Sequence, residues 1–304
     1  MKNELNLHPD FRPLALIHPP LDCRTITGIQ KMMGLLYRGQ RTSRTVTVER
    51  ISIPTRTGRS VRALLYSPRR KNPVGCLLYC HGGGYAFPAA PYHYKLARIY
   101  AEQVSCRVLF PDYRLAPKHP FPAAPEDCFA AYQWLLNHSQ GLPTAVGGDS
   151  AGGTLAMAVC LMAVDRRLPP PCAQLLTYPS VGECGETESI RRYTDTPMCN
   201  TRDMKIYGEW YVQDESAGKK AYRSPIEAES YEGIPSTYIE TAEFDCLRDG
   251  AVLYARRLSE SGIAVEIRNI KGTVHGYDMM LKSNIVKEQI ENRIRFLGRA
   301  FLRE

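Results

Sequence analysis

Thr144-Ala145-Val146-Gly147-Gly148-Asp149-Ser150-Ala151-Gly152-Gly153 runs into an unbroken apolar stretch at residues 155–164. Its opening residues form a short apolar strand pattern, and the stretch after Ser150 is long enough for a buried helix. A serine at a strand-to-helix corner is forced into a tight turn. Flanking residues without bulk let the backbone double back, so the hydroxyl projects at the helix N-terminus. The segment Gly148-Asp149-Ser150-Ala151-Gly152-Gly153 therefore predicts a nucleophile elbow with Ser150 at its apex.

Reading outward, residues 74–80 form a continuous apolar run of the kind a strand buried on both faces shows. Further short strands are expected near 106–110, 144–147, 173–178, 236–241 and 264–270. They alternate with helical stretches near 91–104, 124–138, 151–167 and 247–262. Strand, helix, strand at that spacing implies a mostly parallel sheet of about eight strands with helices on both faces. Ahead of it, Val46, Val48, Ile51 and Ile53, a turn at residues 56–59, and residues 61–66 read as a β-hairpin. Ile26, Ile29, Met33, Leu36 and Tyr37 recur at helical spacing, so one or two helices precede the hairpin. Residues 181–224 interrupt the rhythm and turn helical near 201–212, with Asp203 suited to the first turn. An insertion there, after a strand, is where a doubly wound sheet places a lid over its crevice.

His81-Gly82-Gly83-Gly84 follows the buried run directly. Consecutive glycines let backbone N–H groups face a cavity unobstructed, as a developing oxyanion requires. A phosphate-cradling loop is disfavoured because no Lys-Ser or Lys-Thr follows them. A serine nucleophile on this scaffold takes its partners in the order serine, acid, histidine. His275 is the sole histidine after Ser150. For the acid, Asp245 lies just past the apolar strand at 237–242, whereas Asp249 reads as a residue of the next helix's first turn.

The chain has 304 residues, 44% hydrophobic and 23% charged, which excludes wholesale disorder and fibrous architectures. The longest apolar run is well short of the roughly 20 residues needed to cross a bilayer. The N-terminus carries Glu4 and Pro9 where a secretory signal would place its apolar stretch, so a cytoplasmic location is expected. Ten scattered cysteines, with Cys76 and Cys80 at no zinc or redox spacing, read as reduced and mostly core thiols. Residues 1–100 hold sixteen Lys or Arg against four Asp or Glu. No nucleic-acid motif accompanies this charge, which reads as a solvated basic face.

Together with Asp112-Tyr113-Arg114-Leu115-Ala116-Pro117, Phe121-Pro122-Ala123-Ala124 and His275-Gly276-Tyr277, these motifs resemble the hormone-sensitive-lipase-like family of α/β-hydrolases over roughly residues 45–300. The resemblance implies an α/β-hydrolase fold and a carboxylesterase acting on short- and medium-chain acyl esters. It implies Ser150, Asp245 and His275 as catalytic triad, and the N–H groups of Gly83, Gly84 and Ala151 as oxyanion hole. It also implies a helical cap made of residues 1–44 and the insertion at 181–224, over a hydrolase domain at 45–304. Cys246 stands where the family commonly has proline. Asp112 and Arg114 are expected to brace the loop beneath the glycines, and Cys80 and Cys246 to be core thiols. The expected partner is a small-molecule ester, with neither nucleic acid nor stable membrane insertion; no cofactor or metal is required, and a homodimer is left open. Two other readings use the same residues: a non-catalytic small-ligand receptor on this fold, which would not need His275, and an amidase or acyltransferase with the same triad.

Overall fold

The structure is a computed structural model that describes residues 5–55 and 58–302. Residues 1–4, on which part of the leader reading rests, and residues 56–57 of the expected hairpin turn lie outside the described residues. A 3-10 helix, Pro9–Leu16, leads into α1 (Cys23–Arg38), capped by Asp22, whose carboxylate accepts from the Arg24 and Thr25 N–H groups. The hairpin follows as β1 (Val46–Pro54) and β2 (Ser60–Pro68), and then β3 (Cys76–Cys80), with all five residues buried. The chain continues through α2 (Pro91–Ile99), β4 (Arg107–Asp112), α3 (Ala123–His138), β5 (Thr144–Asp149), α4 (Ala151–Asp165) and β6 (Gln174–Thr177). Short α5 (Glu188–Arg192) and α6 (Thr201–Tyr211) occupy the expected insertion; β7 (Thr237–Phe244), α7 (Arg248–Glu260), β8 (Val265–Val274) and α8 (Asn284–Leu302) complete the chain.

The eight strands form one sheet in the order β1-β2-β4-β3-β5-β6-β7-β8, with only β2 antiparallel to its neighbours. Alternation along β3 divides the interior. Cys76, Leu78 and Cys80 join the core under α3, α4 and α7, while Leu77 and Tyr79 join the core under α2, α8 and the N-terminal segment. Because Cys80 pairs with Gly148, and Asp149 with Thr177, the loops leaving β3, β5 and β6 emerge side by side. That register brings the glycine loop next to the elbow, at the carboxyl ends of the strands where open α/β sheets bind ligands.

Two elements depart from the pattern reading. The expected helix at 91–104 is α-helical only to Ile99 and then widens into a π-helical turn, Tyr100–Val104, closed by Ser105 in the left-handed region. Helix α8 lies beyond the last expected element, and its buried stripe of Val286, Ile290, Leu297 and Phe301 has Arg293 in its middle. Arg293 is fully buried, with Nη2 2.5 Å from Glu240 Oε2 on β7 and Nη1 2.8 Å from Asp278 Oδ2. An arginine can occupy a core only when such partners complete its hydrogen bonds, and removing one partner of a buried pair costs about 3–5 kcal/mol. The thiol reading holds for the described cysteines: nine are free, and seven of them are buried, Cys80 and Cys246 included. No helix among the described residues is long and apolar enough to cross a membrane.

Candidate active site

Ser150 sits between β5 and α4 with φ 53° and ψ −124°, a conformation that costs a side-chain-bearing residue roughly 1–3 kcal/mol. The flanking glycines make the turn sterically feasible. A Cβ on Gly148 would stand 2.3 Å from the Gly152 carbonyl oxygen, and one on Gly152 would stand 2.1 Å from that of Cys80. The elbow is pinned on both sides: Ser150 N–H donates to Thr177 O at 3.0 Å, and Ser180 N–H donates to Ser150 O at 3.1 Å.

His275 follows β8, and the turn at Gly276 (φ 69°) carries the ring back over the elbow. Its Nε2 lies 2.8 Å from Ser150 Oγ, and its Nδ1 lies 2.7 Å from Asp245 Oδ2. A carboxylate can only accept, so Nδ1 carries the proton and Nε2 faces the serine hydroxyl as acceptor. Asp245 is 1% exposed, and its other oxygen accepts from Leu247 N–H at 2.9 Å. Tyr178 packs edge-on against the imidazole at 4.9 Å and donates its hydroxyl to Asp278, fixing the ring from behind. Asp249 and the neighbouring Glu243 are engaged elsewhere. Asp249 accepts from Ser189 N–H at 2.7 Å and Arg248 Nε at 2.8 Å, tying α5 to α7, and makes no side-chain cap to its own helix. Glu243 accepts from Gly272 N–H at 2.7 Å on β8.

Past β3 the backbone turns through Gly83 at φ 118° and Gly84 at φ 58°. Neither glycine's N–H donates to a described backbone or side-chain acceptor. Ala151 opens α4, where the leading N–H groups have no intrahelical partner. Gly83, Gly84 and Ala151 line the same cavity as Ser150. His81 stacks on Tyr113 at 4.4 Å, and burial drives its pKa down to about 3, so it stays neutral.

The brace beneath the glycines differs from the expected one. Asp112, the last residue of β4, pairs with Arg62 on β2 at 2.5 Å, and Arg114 forks onto Asp127 of α3 at 2.7 Å, so both tie the end of β4 to its flanks. Between them, Tyr113 donates its hydroxyl to His81 O at 2.7 Å and does the bracing. The residue that sequence reasoning missed is Asp149. Its Oδ1 accepts from Gly82 N–H at 3.1 Å and Tyr79 OH at 3.0 Å; its Oδ2 meets His93 Nε2 at 2.9 Å and Tyr92 OH at 3.2 Å. Burial alone would raise this carboxyl, but His93 above all, with the Tyr79 hydroxyl, holds it below the ordinary value. A signal was present: an acid ending a fully buried strand requires several donors, and Tyr92 and His93 open the helix that follows the glycine loop.

A family model described as alpha/beta hydrolase fold matches residues 77–279. The chain belongs to that family. It is 36% identical over 243 residues to the carboxylic ester hydrolase LipN of Mycobacterium tuberculosis, covering 76% of this chain and 64% of that relative. It is 36% identical over 207 residues to the esterase LipI of the same organism, covering 66% of this chain and 65% of that relative. The matches thus span just under two thirds of the length of these two curated relatives. The crystal structure of esterase LipW from Mycobacterium marinum superposes with a TM-score of 0.88 at 27% identity, covering 97% of this chain and 96% of that one. The resemblance to hormone-sensitive-lipase-like hydrolases holds.

In this alpha/beta hydrolase the space over Ser150 is a cavity of about 300 Å³. Ser150, His275 and Gly83 contribute to its polar floor, and its walls are apolar: Ile17 and Met33 from the N-terminal segment, Met204 and Tyr207 from α6, and Phe87 and Met279. The Tyr207 ring lies on Gly84, where an added Cβ would come within 2.4 Å of it. That contact accounts for the third glycine of the loop and joins the insertion to the site.

Proposed function

We propose that the protein is a serine carboxylic ester hydrolase, with Ser150 as nucleophile, His275 as base, Asp245 as the carboxylate that orients it, and Gly83, Gly84 and Ala151 as oxyanion donors. The observation that carries this reading is the continuous relay from Ser150 Oγ to His275 Nε2 at 2.8 Å and from His275 Nδ1 to Asp245 at 2.7 Å. His275 takes the hydroxyl proton as Ser150 Oγ bonds to the ester carbonyl carbon. The carbonyl oxygen becomes an oxyanion facing the loop N–H groups, and Asp245 stabilises the imidazolium. Collapse expels the alcohol, which takes the proton from His275. Water then attacks the acyl-enzyme by the same route and releases the acid.

The N-terminal segment and the 181–224 insertion act as a cap, since Ile17, Met33, Met204 and Tyr207 close the cavity over the serine. Apolar walls around so small a space favour acyl groups of about two to eight carbons. A p-nitrophenyl ester series with matched amides and added acyl acceptors tests the assignment. Rates rising steadily to sixteen carbons contradict the size limit, and faster amide cleavage or acyl transfer replaces the reaction class. Absence of turnover favours a ligand receptor, against which the intact Ser150–His275 contact stands.

Tyr207→Ala removes the ring lying on Gly84 and lengthens the cavity. kcat/KM for ten-carbon relative to two-carbon esters should rise by about fivefold, within the range that a few methylenes contribute in an apolar pocket. Asp149→Ala leaves Gly82 N–H unanchored. We expect kcat to fall by about 10²-fold with KM nearly unchanged, because a displaced oxyanion loop weakens the transition state more than the ground state. Steady-state kinetics on p-nitrophenyl acetate read both variants.

A further inference from the structure

The three most exposed large apolar side chains among the described residues are Leu16 at 85%, Met32 at 64% and Leu35 at 62%. Leu16 ends the 3-10 helix, and Met32 and Leu35 lie one turn apart on α1. Leu16 and Met32 immediately precede in sequence two residues of the cavity wall, Ile17 and Met33. The buried side of α1 carries Ile26 and Tyr37, which accounts for its packing but not for these three.

The same outward side carries charge of one sign. Arg24, Lys31 and Arg38 recur every seven residues, are exposed, and form a stripe beside Leu35. Residues 23–48 contain five Lys or Arg and no Asp or Glu. The nearest acid before them, Asp22, is occupied in capping the helix. Apolar side chains next to a basic stripe on one amphipathic helix match the interface of an anionic bilayer, where the apolar groups enter the headgroup boundary and the cations meet phosphates.

We propose that the outward face of α1 docks on an anionic lipid surface and seats the mouth of the cavity there. Docking lies parallel to the surface and spans nothing. It gives the basic N-terminal third a task, and it brings apolar esters dissolved in the bilayer to the cavity without passage through water.

The test is cosedimentation of the full chain with vesicles of phosphatidylcholine alone or containing about 30% phosphatidylglycerol. We expect binding to the anionic vesicles that falls at least tenfold between about 0.05 and 0.5 M NaCl, and little binding to the neutral ones. The double variant Met32→Glu/Leu35→Glu should lose at least about tenfold in vesicle affinity. Its turnover of p-nitrophenyl acetate in vesicle-free buffer should stay within about twofold of wild type, since neither side chain reaches the cavity. No binding to anionic vesicles at low salt, equal binding to neutral vesicles, or equal binding by the variant would each overturn the proposal. So would a wild-type dimer that the variant converts to monomer, because a second copy would then cover this face. None of these outcomes depends on whether the site hydrolyses esters.

Discussion

Ser150→Ala removes ester hydrolysis, with kcat falling by about 10⁴- to 10⁶-fold while the fold persists. The expected loss is that large because the hydroxyl is the only group on the elbow that can form the acyl-enzyme, and the remaining oxyanion donors and cavity recover only a small part of the rate. The fold should survive because the turn depends on Gly148 and Gly152 and on the backbone bonds of Ser150 to Thr177 and Ser180, none of which involves the hydroxyl. Initial rates on p-nitrophenyl acetate, alongside far-ultraviolet circular dichroism, decide the matter. A folded variant retaining more than about a tenth of wild-type kcat removes Ser150 from the role of nucleophile.

Asp245→Asn should lower kcat by about 10³- to 10⁴-fold near neutral pH. An amide in place of the carboxylate can present its N–H₂ to His275 Nδ1, which turns the imidazole to the tautomer with its proton on Nε2, facing Ser150. The base is then blocked at the atom that must accept. Asp249→Asn is the control. Its carboxylate joins Ser189 N–H and Arg248 at the start of α7, so the loss falls on stability, on the order of 1 kcal/mol, with kcat changed little. Burial would raise the Asp249 carboxyl, but Arg248 and Ser189 hold it below its ordinary value of 3.8. A depressed folded pKa means that this stabilisation is present above that value and is lost as pH falls through the folded one. Wild-type and Asp249→Asn stabilities should therefore converge on acidification. An inactive but folded Asp249 variant, with normal turnover in the Asp245 variant, would reassign the acid.

Much of this molecule follows from local rules. Period-2 and period-3.6 patterns located the strands and most helices, the glycines flanking Ser150 declared the elbow, and the chain order of Ser150, Asp245 and His275 named the candidates. Each signal depends on neighbours within a few residues, where torsional preference and the spacing of apolar side chains act directly. The contacts that were not legible join distant segments. Asp149 meets Gly82 across 67 residues, and Arg293 meets Glu240 across 53. In helix α8, an arginine within a buried stripe looks like a polar interruption until Glu240 and Asp278 are placed against it.

The order of the elements, the sheet they build and the residue types at the carboxyl ends of its strands follow from the amino-acid order alone, because burial and torsion are encoded residue by residue. It takes the folded molecule to show that Tyr113 rather than Asp112 or Arg114 supports the glycine loop, that Asp149 anchors it, how small the cavity is, and which side of α1 faces outward. Those outcomes depend on which side chains the register of the sheet and the packing of its helices bring within about 3 Å of one another. Partner choice at that distance is a property of the assembled core, and no single segment carries it.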